Sequence, residues 1–207
     1  MQHSNVLRGI EDIKSGVYAK RTALSLPARL ALAFAMAAVT GALAHIRFYL
    51  PFTPVPVTGQ VLGVLLSGVV CGGLFGSVSQ VMYVALGLLG FSWFAGAGSI
   101  NVFAGPTGGY LIGFMIAPYI IGTFTDRNPK RSSLFNQVKY MLSGVGVIYF
   151  LGAAYLVIIF DMGLLEALLK GVLPFAAFDL LKAFIAASAG SLILPSGEAA
   201  LSKRAEK

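Results

Sequence analysis

The chain has 207 residues, of which 57% are hydrophobic and 11% charged, and its mean hydropathy is +0.83. Soluble domains carry about 25% charged residues, so this composition excludes a soluble domain and indicates an integral membrane protein. The net charge of +7 does not point to nucleic acid, because the basic residues lie at the ends of apolar segments, where membrane orientation explains them.

The predicted fold is an all-α integral membrane protein with six transmembrane helices. Residues 1–25 form a charged N-terminal tail, either helical at the membrane surface or flexible, without the apolar run of a cleavable signal. Residues 26–195 form the membrane domain, and residues 196–207 form a C-terminal tail. Since a helix needs about 20 apolar residues to cross a bilayer, we place the spans at 26–46, 57–71 (a short one), 74–89, 109–124, 140–160 and 172–194.

The first predicted span carries small residues four positions apart, including Ala31 with Ala35 and Ala33 with Ala37. Such spacing makes a flat helix face that another helix can approach closely. Alanine is also a good helix former, so one pair alone means little. Several pairs in register predict a helix-docking face.

The first span is followed by the proline-rich segment PFTPVPVTGQ, residues 51–60. Its prolines, Pro51, Pro54 and Pro56, exclude a regular helix and favour an extended, stiff backbone. Because the segment is mostly apolar, we interpret it as a lid or gate that lies against the protein.

A glycine-rich stretch, residues 90–110, separates the third and fourth spans. Glycine lets the backbone approach a ligand closely, and irregular backbone at membrane depth persists only where it is buried or lines a cavity. Trp93 and Phe94 beside Asn101 suggest an apolar wall next to an amide that both donates and accepts hydrogen bonds. The alternative is an interfacial aromatic belt with a mobile loop.

The last span contains two charges, Asp179 and Lys182. A charge near the bilayer centre costs about 2.5–3.5 kcal/mol on insertion scales, so such residues usually face the protein interior. Three positions apart on a helix, the two side chains share one face. They form either an ion pair that locks helix packing or a polar ligand clamp at the bottom of a pocket.

The distribution of basic residues predicts the orientation. With six spans, both tails, the turn after the second span and the basic loop at 125–139 share one side. That side holds every basic residue except Arg47, Lys170 and Lys182. The positive-inside rule therefore places both termini in the cytoplasm, and the proline-rich and glycine-rich segments then cover the same outer mouth.

Three runs of this sequence, PFTPVPVTGQVLGVLLSG, GLLGFSWFAGAGSINVFAGPTGGYLIGF and FDLLK, resemble the BioY family. These proteins are the biotin-binding S components of energy-coupling factor (ECF) transporters, and the resemblance covers about residues 26–194. It implies a six-helix bundle of ECF S-component type in the cell membrane that captures biotin from outside. It also implies two kinds of partner, a transmembrane coupling protein and paired cytosolic ATPases.

The resemblance assigns roles to residues of this chain. Asp179 and Lys182 would hold the polar head of biotin; which of them meets the ureido group is left open. Some relatives use an arginine near the glycine-rich stretch, but this chain has no basic residue between Arg47 and Arg127. The candidates for that contact are Asn101, Ser99 and Tyr110. The ring would pack against Trp93, Phe94 and Phe103. The gate would be formed by Pro54, Pro56, Thr58 and Gln60, and Ala31 and Ala35 would dock the coupling protein.

The sequence lacks the G-x-x-x-x-G-K-[ST] motif of ATP-binding proteins, so energy must come from partners or a passive route. His3 and His45 have no plausible nucleophilic partner. We therefore expect no enzyme, no catalytic residue, no metal and no cofactor, with biotin only as transported substrate. The alternatives are a secondary or proton-coupled transporter of another small vitamin, acting through Asp179, and a structural membrane subunit. Whether the chain works with a coupling module or alone as a homo-oligomer stays open.

Overall fold

The computed structural model of the chain describes residues 2–94, 100–127 and 133–195. The described part is mainly helical. Its helices are α1 (Gln2–Ala23), α2 (Leu26–Ala44), α3 (Gln60–Cys71), α4 (Gly73–Leu88), α5 (Ile100–Ala104), α6 (Gly108–Arg127), α7 (Leu134–Ile159), α8 (Leu164–Gly171) and α9 (Leu173–Ile193). Two short strands, β1 (Arg47–Phe48) and β2 (Val57–Thr58), form an antiparallel pair.

Four of the described helices, α2, α6, α7 and α9, are long and apolar enough to span a membrane. The helices α3 and α4 are also apolar but have only 12 and 16 residues. At 1.5 Å per residue they are about 18 and 24 Å long, shorter than the ~30 Å hydrocarbon core. The prediction of a helical multi-pass membrane protein is confirmed, whereas the count of six complete spans stays a prediction.

The turn between α3 and α4 depends on Gly72, which has φ +80. Glycine adopts this backbone conformation without the steric penalty of a side chain, so the chain reverses direction within one residue. A Cβ atom at this position would also lie 3.0 Å from a carboxylate oxygen of Asp126. The sequence left Gly72 and Gly73 between the predicted spans 57–71 and 74–89; the structure has the break at Gly72, and Gly73 is the first residue of α4.

Helix α6 lies at the centre of the bundle and packs against α3, α4 and α7. Its contact with α7 is close because Gly113 has no side chain: a Cβ atom there would lie 2.7 Å from the Cα atom of Ile148. Small residues allow such backbone approach between membrane helices. Helix α6 is therefore the central helix of the bundle, and its packing fixes the positions of α3 and α7, which also border the cavity described below.

Helix α1 packs on one end of the bundle. Arg21 forms an ion pair with Asp126 and donates a hydrogen bond to the carbonyl of Val69, and the Tyr18 hydroxyl donates to Asp126 at 3.1 Å. Lys14 donates to the carbonyl of Ser191, at the end of α9. Of the two alternatives for the N-terminal tail, the described part is helical; the C-terminal tail, 196–207, lies outside the described residues.

The connections at the opposite end of the bundle contact one another. The strand pair joins Arg47 to Thr58 and Phe48 to Val57, and the guanidinium of Arg47 donates to the carbonyl of Phe94 at 3.4 Å. The tip of this β1–β2 hairpin lies beside α8, the helix between α7 and α9. The proline-rich segment and the described parts of the glycine-rich segment, 90–94 and 100–110, thus lie at the same end, as the sequence predicted.

Candidate functional site

A cavity of about 50 Å³ lies beneath the hairpin, between α3, α6, α7 and α9. Its apolar wall combines aliphatic and aromatic side chains from the hairpin and several helices, among them Val55, Val61, Leu111, Phe114, Ile148 and Phe175. Polar groups converge on it from the same elements. This combination of an apolar wall with a few placed polar groups is typical of small-molecule sites.

Asp179 and Lys182 both line the cavity and bond to each other. The ammonium of Lys182 lies 2.7 Å from Oδ1 of Asp179. The Tyr149 hydroxyl donates to the other carboxylate oxygen, Oδ2, at 2.7 Å. Asp179 is only 3% exposed, and each of its two carboxylate oxygens is bonded by another side chain that lines the cavity.

This three-residue cluster retains bonding capacity for a ligand. A carboxylate has about four lone-pair sites and an ammonium has three donors, so Asp179 and Lys182 each keep sites beyond their mutual bond. Bonds to ionised groups are roughly twice as strong as bonds between neutral groups. The ion pair and the ligand clamp that the sequence left as alternatives are therefore compatible in this geometry.

Sequence reasoning missed Tyr149 altogether. It lies on α7, thirty positions before Asp179, in a span whose other residues are mostly apolar. A tyrosine in a membrane helix carries no pattern that separates a packing residue from a polar partner. Thr107, in the turn between α5 and α6, also lines the cavity and was missed as well.

Tyr110 lines the cavity, as do three of the four predicted gate residues, Pro56, Thr58 and Gln60. The Tyr110 hydroxyl donates to the carbonyl of Gly171 at 2.6 Å and so ties α6 to the end of α8. The fourth gate residue, Pro54, is exposed on the hairpin tip. It lies in a separate depression between the hairpin and α8.

The predicted aromatic residues do not border the cavity. Phe94 is 2% exposed and packs edge-on against Tyr83. The Trp93 ring stacks on the Tyr83 ring, with the two ring centroids 6.3 Å apart. The main-chain carbonyl of Phe103 accepts a hydrogen bond from the Tyr155 hydroxyl. Their role in binding stays a prediction, and in this conformation they support the surrounding structure.

The predicted amide and hydroxyl contacts have different positions. Asn101 is exposed on α5 and does not border the cavity. Ser99 lies outside the described residues. Val102, the residue after Asn101, contributes to the cavity wall.

The two rows of small residues on α2 point in different directions. Ala33 and Ala37 are fully buried in the bundle, whereas Ala31 and Ala35 are exposed. The exposed row remains accessible to another helix at the protein surface. Assignment of this row to partner docking stays a prediction.

The family model described as BioY family matches residues 18–198. The chain belongs to the BioY family. The matched residues include every helix and strand around the cavity. A relative from Thermotoga maritima named biotin transporter BioY is 37% identical over 139 residues. That alignment covers 67% of this chain and 80% of the relative. A second biotin transporter BioY, from Rhizobium etli, is 32% identical over 152 residues, with coverages of 70% and 81%.

The BioY assignment is supported by three-dimensional similarity. The crystal structure of the S-component for biotin from an ECF-type ABC transporter matches this chain with a TM-score of 0.72. The sequence identity is 27%, and the match covers 81% of this chain and 93% of that structure. The helical arrangement around the cavity is therefore that of a solved S-component.

Proposed function

We propose that this chain is the substrate-capture component of an ECF-type transporter and binds biotin in the cavity beneath the β1–β2 hairpin. The observation that carries the proposal is the buried cluster of Asp179, Lys182 and Tyr149 on an otherwise mainly apolar wall. The names of the two relatives and of the structural neighbour support biotin as the substrate. The protein is a non-enzymatic transport subunit.

The chemistry of biotin suits this cluster. Its ureido group has two N–H donors and one carbonyl acceptor, its fused rings are apolar, and its tail ends in a carboxylate. Asp179 can accept from the ureido N–H groups while Lys182 donates to the ureido oxygen. The opposite assignment, with Lys182 at the carboxylate, uses the same donors. In either case charge-assisted bonds in a site shielded from water supply the affinity.

Biotin entry requires movement of the cavity wall. Pockets for small molecules of drug size measure about 300–1,000 Å³, and this cavity measures about 50 Å³. Among its walls, residues 55–58 belong to a hairpin with only two paired residues per strand, whereas the others are mainly helical. The small number of paired residues supports the hairpin as the gate, which would open outward to admit the ligand.

A transmembrane coupling protein and paired ATPases would act on this subunit, since the sequence has no ATP-binding motif. The exposed row of Ala31 and Ala35 offers a flat helix face for that coupling protein. Both termini would lie in the cytoplasm, with the gate outside.

Titration of the purified full-length protein with biotin tests the proposal. We expect nanomolar affinity for the natural protein, about −12 kcal/mol, and a loss of at least tenfold in Asp179→Ala and in Lys182→Ala. Glu166→Ala and Lys170→Ala are matched controls, because this pair has the same 2.7 Å separation but is half exposed on α8. Millimolar affinity of the natural protein, or unchanged affinity in both site variants, would refute the proposal.

The runner-up is a secondary transporter of another vitamin, coupled to protons through Asp179. Uptake in cells with and without the ATPase subunits separates the two functions. Uptake that needs the ATPases supports the S-component. Uptake that continues without them and stops when the proton gradient is collapsed supports the alternative.

A further inference from the structure

A chain of hydrogen bonds connects the cavity to the segment 91–94 that follows α4. Thr58 and Gln60 line the cavity, and Tyr83 lies behind them, fully buried on α4. The Thr58 hydroxyl donates to Oε1 of Gln60 at 2.8 Å. Nε2 of Gln60 donates to the Tyr83 hydroxyl at 2.5 Å, which donates to the carbonyl of Trp93 at 3.0 Å.

The direction of this chain follows from its last acceptor. A main-chain carbonyl can only accept, so Tyr83 must donate its hydroxyl proton to Trp93. The Tyr83 oxygen is then left to accept, which requires Gln60 to present its NH₂ group and to turn its carbonyl toward Thr58. The two ends of a glutamine amide are otherwise distinguished only by their hydrogen bonds. A main-chain atom outside the cavity thus determines which end of the Gln60 amide faces each neighbour.

We infer that Tyr83 is a positioning residue that orients the Gln60 amide at the cavity and couples biotin binding to the order of segment 91–94. This inference rests on the proposed function, because biotin is the ligand that would contact the oriented amide. After its bond to Tyr83, the Gln60 NH₂ group keeps a second N–H, and its carbonyl keeps a second lone pair. A ligand bonded to either atom strengthens the chain, since successive hydrogen bonds polarise one another.

Segment 91–94 is held in place by contacts with Tyr83 and with the hairpin, so a change in the hydrogen bonds from Thr58 to Trp93 would affect its order. The Trp93 ring stacks on Tyr83 and packs on α2 at Gly41, where a Cβ atom would lie 2.9 Å from the ring. Its carbonyl accepts from Tyr83, and the next carbonyl, that of Phe94, accepts from Arg47 of the hairpin. The gate and this segment are therefore joined through both Tyr83 and Arg47. Trp93 is the single tryptophan of the chain, so its fluorescence reports on this segment.

The first test measures biotin release from the purified full-length protein carrying Tyr83→Phe, Gln60→Met or both. Tyr83→Phe removes the hydroxyl and keeps the stacked ring. Each single change is expected to raise the release rate about 5- to 30-fold, and the double variant is expected to release no faster than the faster single variant, because both remove the same connection. Effects that multiply in the double variant would overturn the inference.

Tyr155→Phe is the matched control. Its hydroxyl also donates to a main-chain carbonyl, that of Phe103, but it does not belong to the chain through Gln60. We expect a change in release of less than about threefold, which multiplies with that of Gln60→Met. An effect equal to that of Tyr83→Phe and non-multiplicative with Gln60→Met would contradict a specific role for Tyr83.

The second test measures acrylamide quenching of Trp93 fluorescence with and without saturating biotin. Biotin should reduce quenching in the natural protein and in Tyr155→Phe, but not in Tyr83→Phe, although all three bind it. A natural protein that binds biotin without any change in quenching would overturn the inference, and this result does not depend on whether Tyr83→Phe folds. Failure of the proposed function itself appears differently, as absence of biotin binding in the natural protein.

Discussion

At the scale of single residues, Asp179 and Lys182 are costly because they place two charges in an apolar helix. Asp179 is almost completely buried, and its two oxygens are satisfied by Lys182 and Tyr149. Removing one member of a buried pair leaves the other charge uncompensated, whereas replacing the whole group by apolar residues is often neutral or stabilising. Stability and binding should therefore respond differently to partial and complete removal.

Lys182→Met should lower the free energy of unfolding by about 3–5 kcal/mol, because it leaves a buried carboxylate without its counter-charge. The triple change Tyr149→Phe, Asp179→Leu and Lys182→Met should recover most of that stability but bind no biotin. Thermal unfolding in detergent, paired with biotin titration, measures both quantities. Retained biotin affinity in the triple variant would show that the cluster only supports helix packing.

At the scale of an element, α2 presents two rows of alanine with opposite surroundings. Ala37 is fully buried and packs in the core, whereas Ala35 is exposed. A bulky residue is tolerated on an exposed surface but strains a close-packed interior. The same substitution at the two positions therefore separates a docking role from internal packing.

Ala35→Trp should preserve folding and biotin affinity but reduce biotin uptake at least tenfold in cells that contain the coupling protein and ATPases. The bulky side chain would keep a helix of the coupling protein from approaching α2 closely. Ala37→Trp should instead lower thermal stability and protein yield. Phe150→Trp, at an exposed position on α7, is the control and should leave uptake unchanged. Normal uptake by Ala35→Trp would exclude this row as the docking face, and loss of biotin affinity would place it in the internal packing.

At the scale of the whole molecule, the two ends of the bundle differ in composition. One end carries α1, with Arg21 paired to Asp126, and the other carries the apolar hairpin. An excess of lysine and arginine marks the cytoplasmic side of a membrane protein. This difference predicts an orientation with the hairpin outside.

Single cysteines introduced into a Cys71→Ala background test the orientation. One variant is Phe52→Cys, at an exposed position on the hairpin, and the other is Lys20→Cys, at an exposed position on α1. A membrane-impermeant maleimide added to intact cells should label the first and not the second, which should react only after the membrane is permeabilised. Labelling in the reverse order would mean that the hairpin faces the cytoplasm.

Several features could be predicted from the sequence because they depend on local chemistry. Apolar segments of about 20 residues indicate membrane helices, and glycine at position 72 marks a sharp turn. Asp179 and Lys182 stand out because charge is costly where they lie, and their spacing of three puts them on one helix face. These signals come from neighbouring positions in the chain, so no tertiary structure is needed to detect them.

The tertiary structure decided which distant groups meet. Tyr149 bonds to Asp179 across 30 positions, and Gln60 to Tyr83 across 23, and no local pattern specifies either pair. The same limit explains Trp93 and Phe94: the sequence showed aromatic residues beside a glycine-rich stretch, but their rings pack on Tyr83 and away from the cavity. By itself the sequence determined a membrane-embedded helical protein with a buried charge pair, because segment hydrophobicity and charge cost are local properties. Only the packing of α3, α4 and α7 around α6, and of α9 against α3 and α7, decided which side chains complete the cavity, because those contacts depend on the relative positions of whole helices.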